Sequence, residues 1–407
     1  MLRRLIWVSL MMSAILSVST QEAVGMQTAT DTMQKDLAIS LITCYPGPEV
    51  YELYGHSAVR VKTENLDIIY NYGVFNYSDP NFVYRFVKGE TDYMAAMQYF
   101  EDFLYQYKKR GSKVVEQRLN LSDDEAKQLW HILQTDALPQ NRVYRYNYVK
   151  NNCATKILDC IDRIDGLNAS YPDTIRFGSF RKEMRHYGKN YDWYQYGIDL
   201  ALGKGIDYEL NAREEMFVPL IMMEQMKNAT RSNNSKLIKS TEVLYEGEGD
   251  AILSATPFLL SPLFVSWLVL VLMLVVVYFG IKHKRLFKGV YALWFSICGI
   301  AGCLLSFLVF FSEHEATSPN VLIWWLNPIC LIVPLMIWFD KGRKILMVYM
   351  LLEGCFLTGI LIGTIFGEQS LNSAVYPQII TTIILAIGYI ITMNRKSRCV
   401  EIKLKKA

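Results

Sequence analysis

His56, in Tyr54-Gly55-His56-Ser57-Ala58-Val59-Arg60, and Cys153, in Asn151-Asn152-Cys153-Ala154-Thr155, are the two residues of this chain best equipped for covalent chemistry. The alternation that follows His56 predicts a strand. Asn152 is a good N-cap, which puts Cys153 in the first turn of a helix reaching about Ile164. A helix N-terminus carries partial positive charge and unpaired N–H groups. A cysteine placed there is more often thiolate, and an imidazole beside it lowers its pKa further and shuttles the proton. The same N–H groups can stabilise an oxyanion. Cys153 thus has the context of a nucleophile and His56 that of its base. The competing reading is structural, since a cysteine on an amphipathic helix is commonly core. Cys160, two turns further on, reads as core. His131 and His186 fall inside predicted helices, and His314 stands at a membrane edge.

The elements that would position the pair run as follows. Asp36 to Thr43 reads as a strand, broken by Pro46-Gly47-Pro48; His56 to Lys62 and Leu66 to Tyr70 are two more. Gly73 and Ser78-Asp79-Pro80 are turn signals. Asn81 to Lys88 and Lys113 to Leu119 alternate and frame a helical stretch near Tyr93 to Lys108. Ser122-Asp123-Asp124-Glu125 is a capping box that starts a helix to about Thr135. Val143 to Tyr148 reads as extended chain, 173–230 as three helices, and Lys236 to Glu246 as a last strand.

Beyond this domain the composition changes. Five apolar stretches approach the ~20 residues that a span needs: Pro257–Ile281, Val290–Phe311, Val321–Phe339, Ile345–Phe366 and Tyr376–Met393. Asn327-Pro328 should interrupt the third. Lys282, Lys284, Arg285 and Lys288 follow the first span, Lys341, Arg343 and Lys344 the third, and Arg395 through Lys406 the last, while the other two connections carry no Lys or Arg. By the positive-inside rule the basic loops and the C-terminus are cytoplasmic and the soluble domain is exported. Met1-Leu2-Arg3-Arg4 with the apolar run Leu5–Val18 is a signal peptide or an N-terminal anchor over residues 1–20. The organisation expected is therefore an exported domain over 21–250, with a core at 36–165 and a helical extension at 173–230. A transmembrane region over 257–393 and a basic cytoplasmic tail over 394–407 follow. The near-neutral net charge of +3 leaves no nucleic-acid footprint.

Cys44, Cys153 and Cys160 are the thiols of the exported domain, so at least one is unpaired. Cys44 is either core or a partner for Cys160. Glu353, within the fourth span, is either functional or a neutral, hydrogen-bonded acid packed in the bundle. Trp324 and Trp325 read as interfacial anchors.

A strand histidine preceding a helix cysteine resembles the circularly permuted NlpC/P60 (papain-like) superfamily. Within it, several short motifs resemble one family, the Bacteroides-type lipoprotein N-acyltransferases called Lnb. They are Leu41-Ile42-Thr43-Cys44-Tyr45-Pro46-Gly47-Pro48, Tyr54-Gly55-His56, Asn71-Tyr72-Gly73-Val74-Phe75, Asn152-Cys153-Ala154-Thr155, Tyr191-Asp192-Trp193, Gly197-Ile198-Asp199 and Phe217-Val218-Pro219. The five-span tail also fits. The resemblance implies an α+β papain-like exported domain followed by an all-α bundle of five transmembrane helices, in the inner (cytoplasmic) membrane. It implies acyl transfer from a phospholipid, through a Cys153 thioester, to the α-amine of the diacylglyceryl-cysteine that begins a lipoprotein. No metal, nucleotide, acyl-CoA or other cofactor is needed for that chemistry.

Such a site usually has a third polar group that orients the imidazole. Asn71 is the candidate, against a simple turn asparagine before Gly73. Asn152, Tyr54 and Arg110 are candidates for oxyanion or substrate support. For Asn152 the alternative is a plain helix cap, and for Arg110 a solvated basic end, Lys108-Lys109-Arg110, in place of a phosphate contact. Two other functions use the same sequence: a membrane-anchored NlpC/P60-type peptidoglycan amidase or endopeptidase, and a non-enzymatic envelope assembly or sensing protein.

Overall fold

The structure, a computed structural model, describes residues 36–75, 80–172, 174, 176–248, 255–367 and 369–404. The expected signal segment lies outside these residues, as do the side chains of the tail beyond Arg395.

Alternating apolar residues build one antiparallel sheet. Its strands are β1 (Ala38–Cys44), β2 (His56–Lys62), β3 (Asp67–Val74), β4 (Asp92–Tyr99), β5 (Val114–Leu119), β6 (Val143–Arg145) and β7 (Ile238–Tyr245), in the order β6-β4-β3-β2-β1-β5-β7. The central strands are buried on both faces, because helices cover each. Side chains alternate between faces along a strand. Cys44 pairs with His56 and Ala58 with Asn71, so all four project to the same side. That side is covered by helix α2 (Phe100–Arg110), which comes after the short α1 (Phe82–Lys88), through Phe103 and Tyr107. The other side, with Leu41, Val59, Val61 and Tyr70, packs against α3 (Asp123–Asp136) and α4 (Cys153–Asp162). The capping box forms as expected: Ser122 Oγ accepts from the Glu125 N–H while Glu125 accepts from the Ser122 N–H at 2.7 Å.

Three segments differ from the sequence reading. Asn81 to Lys88 is helical, with Asn81 as its cap and Gly89 ending it in the left-handed region. Its apolar residues fall on several sides of the helix, which reads as alternation in a linear sequence. Tyr93 to Tyr99 is strand β4 and the helix starts only at Phe100; pairing of β4 with both β3 and β6 overrides a local helical pattern. Gly73 makes no turn. It sits at φ +88° inside β3, where the register shifts between Asn71 and Val74, and it is a bulge glycine.

Between α4 and β7 the described residues form four α-helices where three were expected: α5 (Phe180–Tyr187), α6 (Asp192–Ala201), the one-turn α7 (Ala212–Glu215) and α8 (Pro219–Asn228). The bundle follows with α9 (Pro262–His283), α10 (Lys288–Phe310), α11 (Ile332–Trp338), α12 (Arg343–Gly363) and α13 (Val375–Leu404). Among the described residues, five segments are long and apolar enough to span a membrane. The third, Val321–Trp338, is broken at Asn327-Pro328 as expected, with two short 3-10 pieces ahead of α11. Trp324 is exposed and stacks on Phe356, as an anchor would, but Trp325 is buried and donates to Thr382 Oγ1 at 3.0 Å. Burial of its ring inside the bundle removes it from the interface. Glu353 is buried among the helices.

Loops join the two halves. Asn320 Nδ2 donates to the Leu200 carbonyl at 2.9 Å, Trp193 Nε1 to the Leu260 carbonyl at 2.8 Å, and Tyr196 Oη to Gln378 at 2.6 Å. Asp199 accepts from Asn372 at 2.8 Å.

Candidate active site

Gly55 sets up the histidine. It adopts φ +73°, and a Cβ there would collide with the Cys44 carbonyl oxygen. Only glycine lets the chain turn this tightly against β1 before entering β2. His56 follows as the first residue of β2, half-buried. On the neighbouring strand the buried Asn71 presents Oδ1 at 3.0 Å from His56 Nε2. With Nε2–H donating to Asn71, Nδ1 is the nitrogen left for the sulfur of Cys153, to which the imidazole is also hydrogen-bonded.

Cys153 reaches the imidazole from the other side of the sheet's end. Asn152 is its cap: Oδ1 accepts from the N–H groups of Ala154 (2.9 Å) and Thr155 (3.0 Å), while Nδ2 donates to the carbonyls of Tyr148 (2.9 Å) and Phe217 (2.8 Å). Both amide hydrogens are thereby used, so Asn152 acts as a cap and has no donor left for an oxyanion. The Lys156 N–H bonds to the Asn152 carbonyl, and the Cys153 N–H takes no partner among the described residues. It is the free donor of the first turn.

Electrostatics favour charge separation. Burial pushes the Cys153 thiol up, but the charge and hydrogen bond of His56, with the N–H groups of Ser57 and Ala154, bring it below the ordinary thiol range. Burial lowers His56, while the charge and hydrogen bond of Cys153 and the Asn71 bond raise it above its ordinary value. Both shifts run toward a thiolate beside an imidazolium. By contrast, burial drives Cys44 far up, and it raises Cys160 to about 12. All three thiols are free, so Cys44 and Cys160 do not pair: Cys44 lies in the α2 layer beside Tyr107 and Cys160 in the opposite layer beside Tyr72 and Asp136. Native protein treated with iodoacetamide should therefore carry one alkyl group on its exported domain, at Cys153. The rate should fall only as pH drops through a Cys153 pKa below that of a free cysteine. Faster labelling of Cys44 or Cys160, read by peptide mass spectrometry, would contradict this.

Asn71→Ala should lower turnover by about 10- to 100-fold, the value of a hydrogen bond to a charged group of roughly 1.5–3 kcal/mol. It should also bring the imidazole pKa down, as read by the pH profile of alkylation. A variant with an unchanged profile would make Asn71 a strand residue only.

The other candidates separate. Arg110 is exposed, as are Lys108 and Lys109, but it pairs with the buried Glu52 at 2.9 Å, and its charge is felt at His56. It is therefore a solvated basic end that is also tied down near the site. Tyr54 is buried, edge-to-face on Tyr148 at 5.3 Å, in the layer beneath Gly55. Sequence reading missed the aromatic side of the site. Tyr146 and the Tyr144 hydroxyl stand about the bulge at Gly73, next to Cys153 Cβ, and Tyr146 stacks on Tyr93 at 4.0 Å. The signal available was the spacing of Tyr144, Tyr146 and Tyr148 in the extended segment just ahead of Asn152.

A sheet domain carrying a thiol–imidazole pair, seated on five apolar segments, defines a multi-pass membrane protein with its polar chemistry outside the spans. Residues 27–179 match the Lnb N-terminal periplasmic domain and residues 254–397 the Lnb transmembrane domain. The chain belongs to the Lnb family, membrane proteins of the lipoprotein N-acyltransferase type, and its sheet domain is periplasmic. No curated protein and no solved structure matches it.

Proposed function

We propose that this protein moves an acyl chain from a phospholipid to the α-amine of the diacylglyceryl-cysteine at a lipoprotein N-terminus, using Cys153 as nucleophile. The observation that carries the reading is the Asn71–His56–Cys153 arrangement at the first turn of α4, in a domain seated on a membrane bundle. The Cys153 thiolate attacks the ester carbonyl carbon. The C–O bond breaks and the His56 imidazolium gives its proton to the departing glycerol oxygen, leaving a lysophospholipid and a thioester. The α-amine then attacks the thioester, His56 takes its proton, and the C–S bond breaks to give the amide and restore the thiolate. The Cys153 N–H is the oxyanion donor. Asn71 holds the imidazole, and Arg110 and Tyr54 support the site from behind.

The order of a strand histidine and a helix cysteine supports a permuted papain-like core. The basic residues at 282–288, 341–344 and 395–406 support an inner-membrane protein with its C-terminus in the cytoplasm. Both substrates are membrane-anchored, so a bundle that keeps the site at the bilayer raises their effective concentration.

The test is reconstitution. Full-length protein in phospholipid vesicles with a synthetic diacylglyceryl lipopeptide should yield an N-acylated lipopeptide and lysophospholipid in equal amounts. Cleavage of peptidoglycan fragments without acyl transfer would favour the amidase instead.

A further inference from the structure

Outside the catalytic pair, the most unusual surface is α1. It lies in the periplasmic domain, yet Val83, Tyr84 and Phe86 are 66 %, 55 % and 46 % exposed. It is also fixed in place. The loop after α10 grips its C-terminal end: the Glu313 N–H donates to the Lys88 carbonyl at 2.8 Å, Ser312 Oγ to the Val87 carbonyl at 3.0 Å, and His314 Nε2 meets the Phe86 carbonyl at 2.7 Å. Tyr84 packs against Phe307 of α10 with ring centroids 6.1 Å apart. Between α1 and that span runs an open apolar groove of about 710 Å³, lined by Phe82, Val83, Tyr84, Val87, Leu304 and Phe307. One wall is a membrane span, so the groove opens into lipid and not into water.

Ring contacts also link the groove to the nucleophile. Phe82 stacks on Phe75 at 5.4 Å, Phe75 meets Tyr93 at 5.0 Å, and Tyr93 stacks on Tyr146 at 4.0 Å. Tyr146 in turn stands beside Cys153 at the Gly73 bulge. A row of rings therefore leads from the lipid-facing groove to the reactive sulfur.

We propose that this groove and its aromatic row form the track for the transferred acyl chain of the phospholipid donor. The inference rests on the acyl-transfer reading above and adds the path that the chain takes. The transferred carbonyl must bond to Cys153 Sγ, so its hydrocarbon tail must start at the sulfur and end in lipid. The aromatic row joins those two points and offers an apolar wall throughout. The chains of the acceptor lipopeptide have no such requirement, because its amine alone must reach the thioester. The occupant is therefore the donor's chain, first as an ester and then as the thioester.

The experiment uses full-length protein in detergent, offered phosphatidylethanolamine with palmitoyl or hexanoyl chains, with the Cys153 thioester read by intact mass. Leu304→Trp and Val87→Trp narrow the groove from opposite walls. Each should lower the palmitoyl-to-hexanoyl rate ratio by on the order of tenfold. Leu304 faces lipid, so its variant keeps the test available if Val87→Trp fails to fold, and Cys153 alkylation by iodoacetamide reports the fold of each. Leu293→Trp, exposed on the same span but outside the groove, should keep the wild-type ratio. A wild-type ratio in a folded Leu304→Trp would overturn the track alone. Wild-type protein that takes an acyl group from neither donor would overturn the acyl-transfer reading, and the track with it.

Discussion

Cells whose only copy carries Cys153→Ala should lose the third acyl chain from their lipoproteins. Removing a nucleophile that acts together with its base costs roughly 10⁴-fold or more in turnover, which no change in protein level can mask. The fold should survive, because the thiol is half-buried at the start of α4 and the cap is made by Asn152 and Thr155. His56→Ala should be comparably damaging to transfer. It should also raise the Cys153 pKa, because burial of the thiol would then go unopposed by the imidazolium charge and its hydrogen bond to the sulfur. Mass spectrometry of the N-terminal peptide of an abundant lipoprotein decides the matter. Equal acylation with Cys153 and with alanine would remove Cys153 from the mechanism.

The second large effect is on stability. Arg181 is 1 % exposed and donates to Asp207 at 2.7 Å, to Asp199 at 3.2 Å, and to the carbonyls of Leu202 (2.9 Å) and Gly203 (2.8 Å). Asp199, also 1 % exposed, accepts in addition from Arg185 and from Asn372 of the bundle. Arg181→Met keeps much of the volume and removes the charge. It leaves buried carboxylates and carbonyls short of donors, and breaking a buried pair in this way costs about 3–5 kcal/mol. Thermal inactivation of the detergent-solubilised variant should occur at clearly lower temperature than in the wild type. Identical inactivation curves would show that Arg185 and Asn372 suffice to hold Asp199.

How far the sequence predicts these features depends on the range of the forces involved. The Asn152 cap, the Ser122–Glu125 box and the break at Asn327-Pro328 are set within a few residues, and each appears where its local signal stands. The spans are legible for the same reason, since hydrocarbon selects on composition. Strand β4 is not, because Ala95, Ala96, Met97 and Gln98 suit a helix and become strand only through partners on both sides. Helix α1 is misread because part of its apolar surface faces α10 and lipid, and no nearby sequence announces that contact. Within the site, His56 and Cys153 have local signatures. The role open to Asn71 depends on its register opposite Ala58, and the approach of Tyr146 depends on the bulge at Gly73.

The loops that seat the sheet domain on the bundle fix more than orientation. Asn320, Asn372, Glu313 and Ser312 all tie periplasmic helices to the ends of spans. With Cys153 reacting as proposed, its sulfur is thereby held at one height over the leaflet, and its reactants come to it by drifting sideways. For the transfer proposed here, encounter becomes a search in two dimensions, governed by crowding per unit of membrane area and not by amount per unit volume. An inert lipid that merely spreads donor and acceptor apart would slow the reaction as surely as an inhibitor.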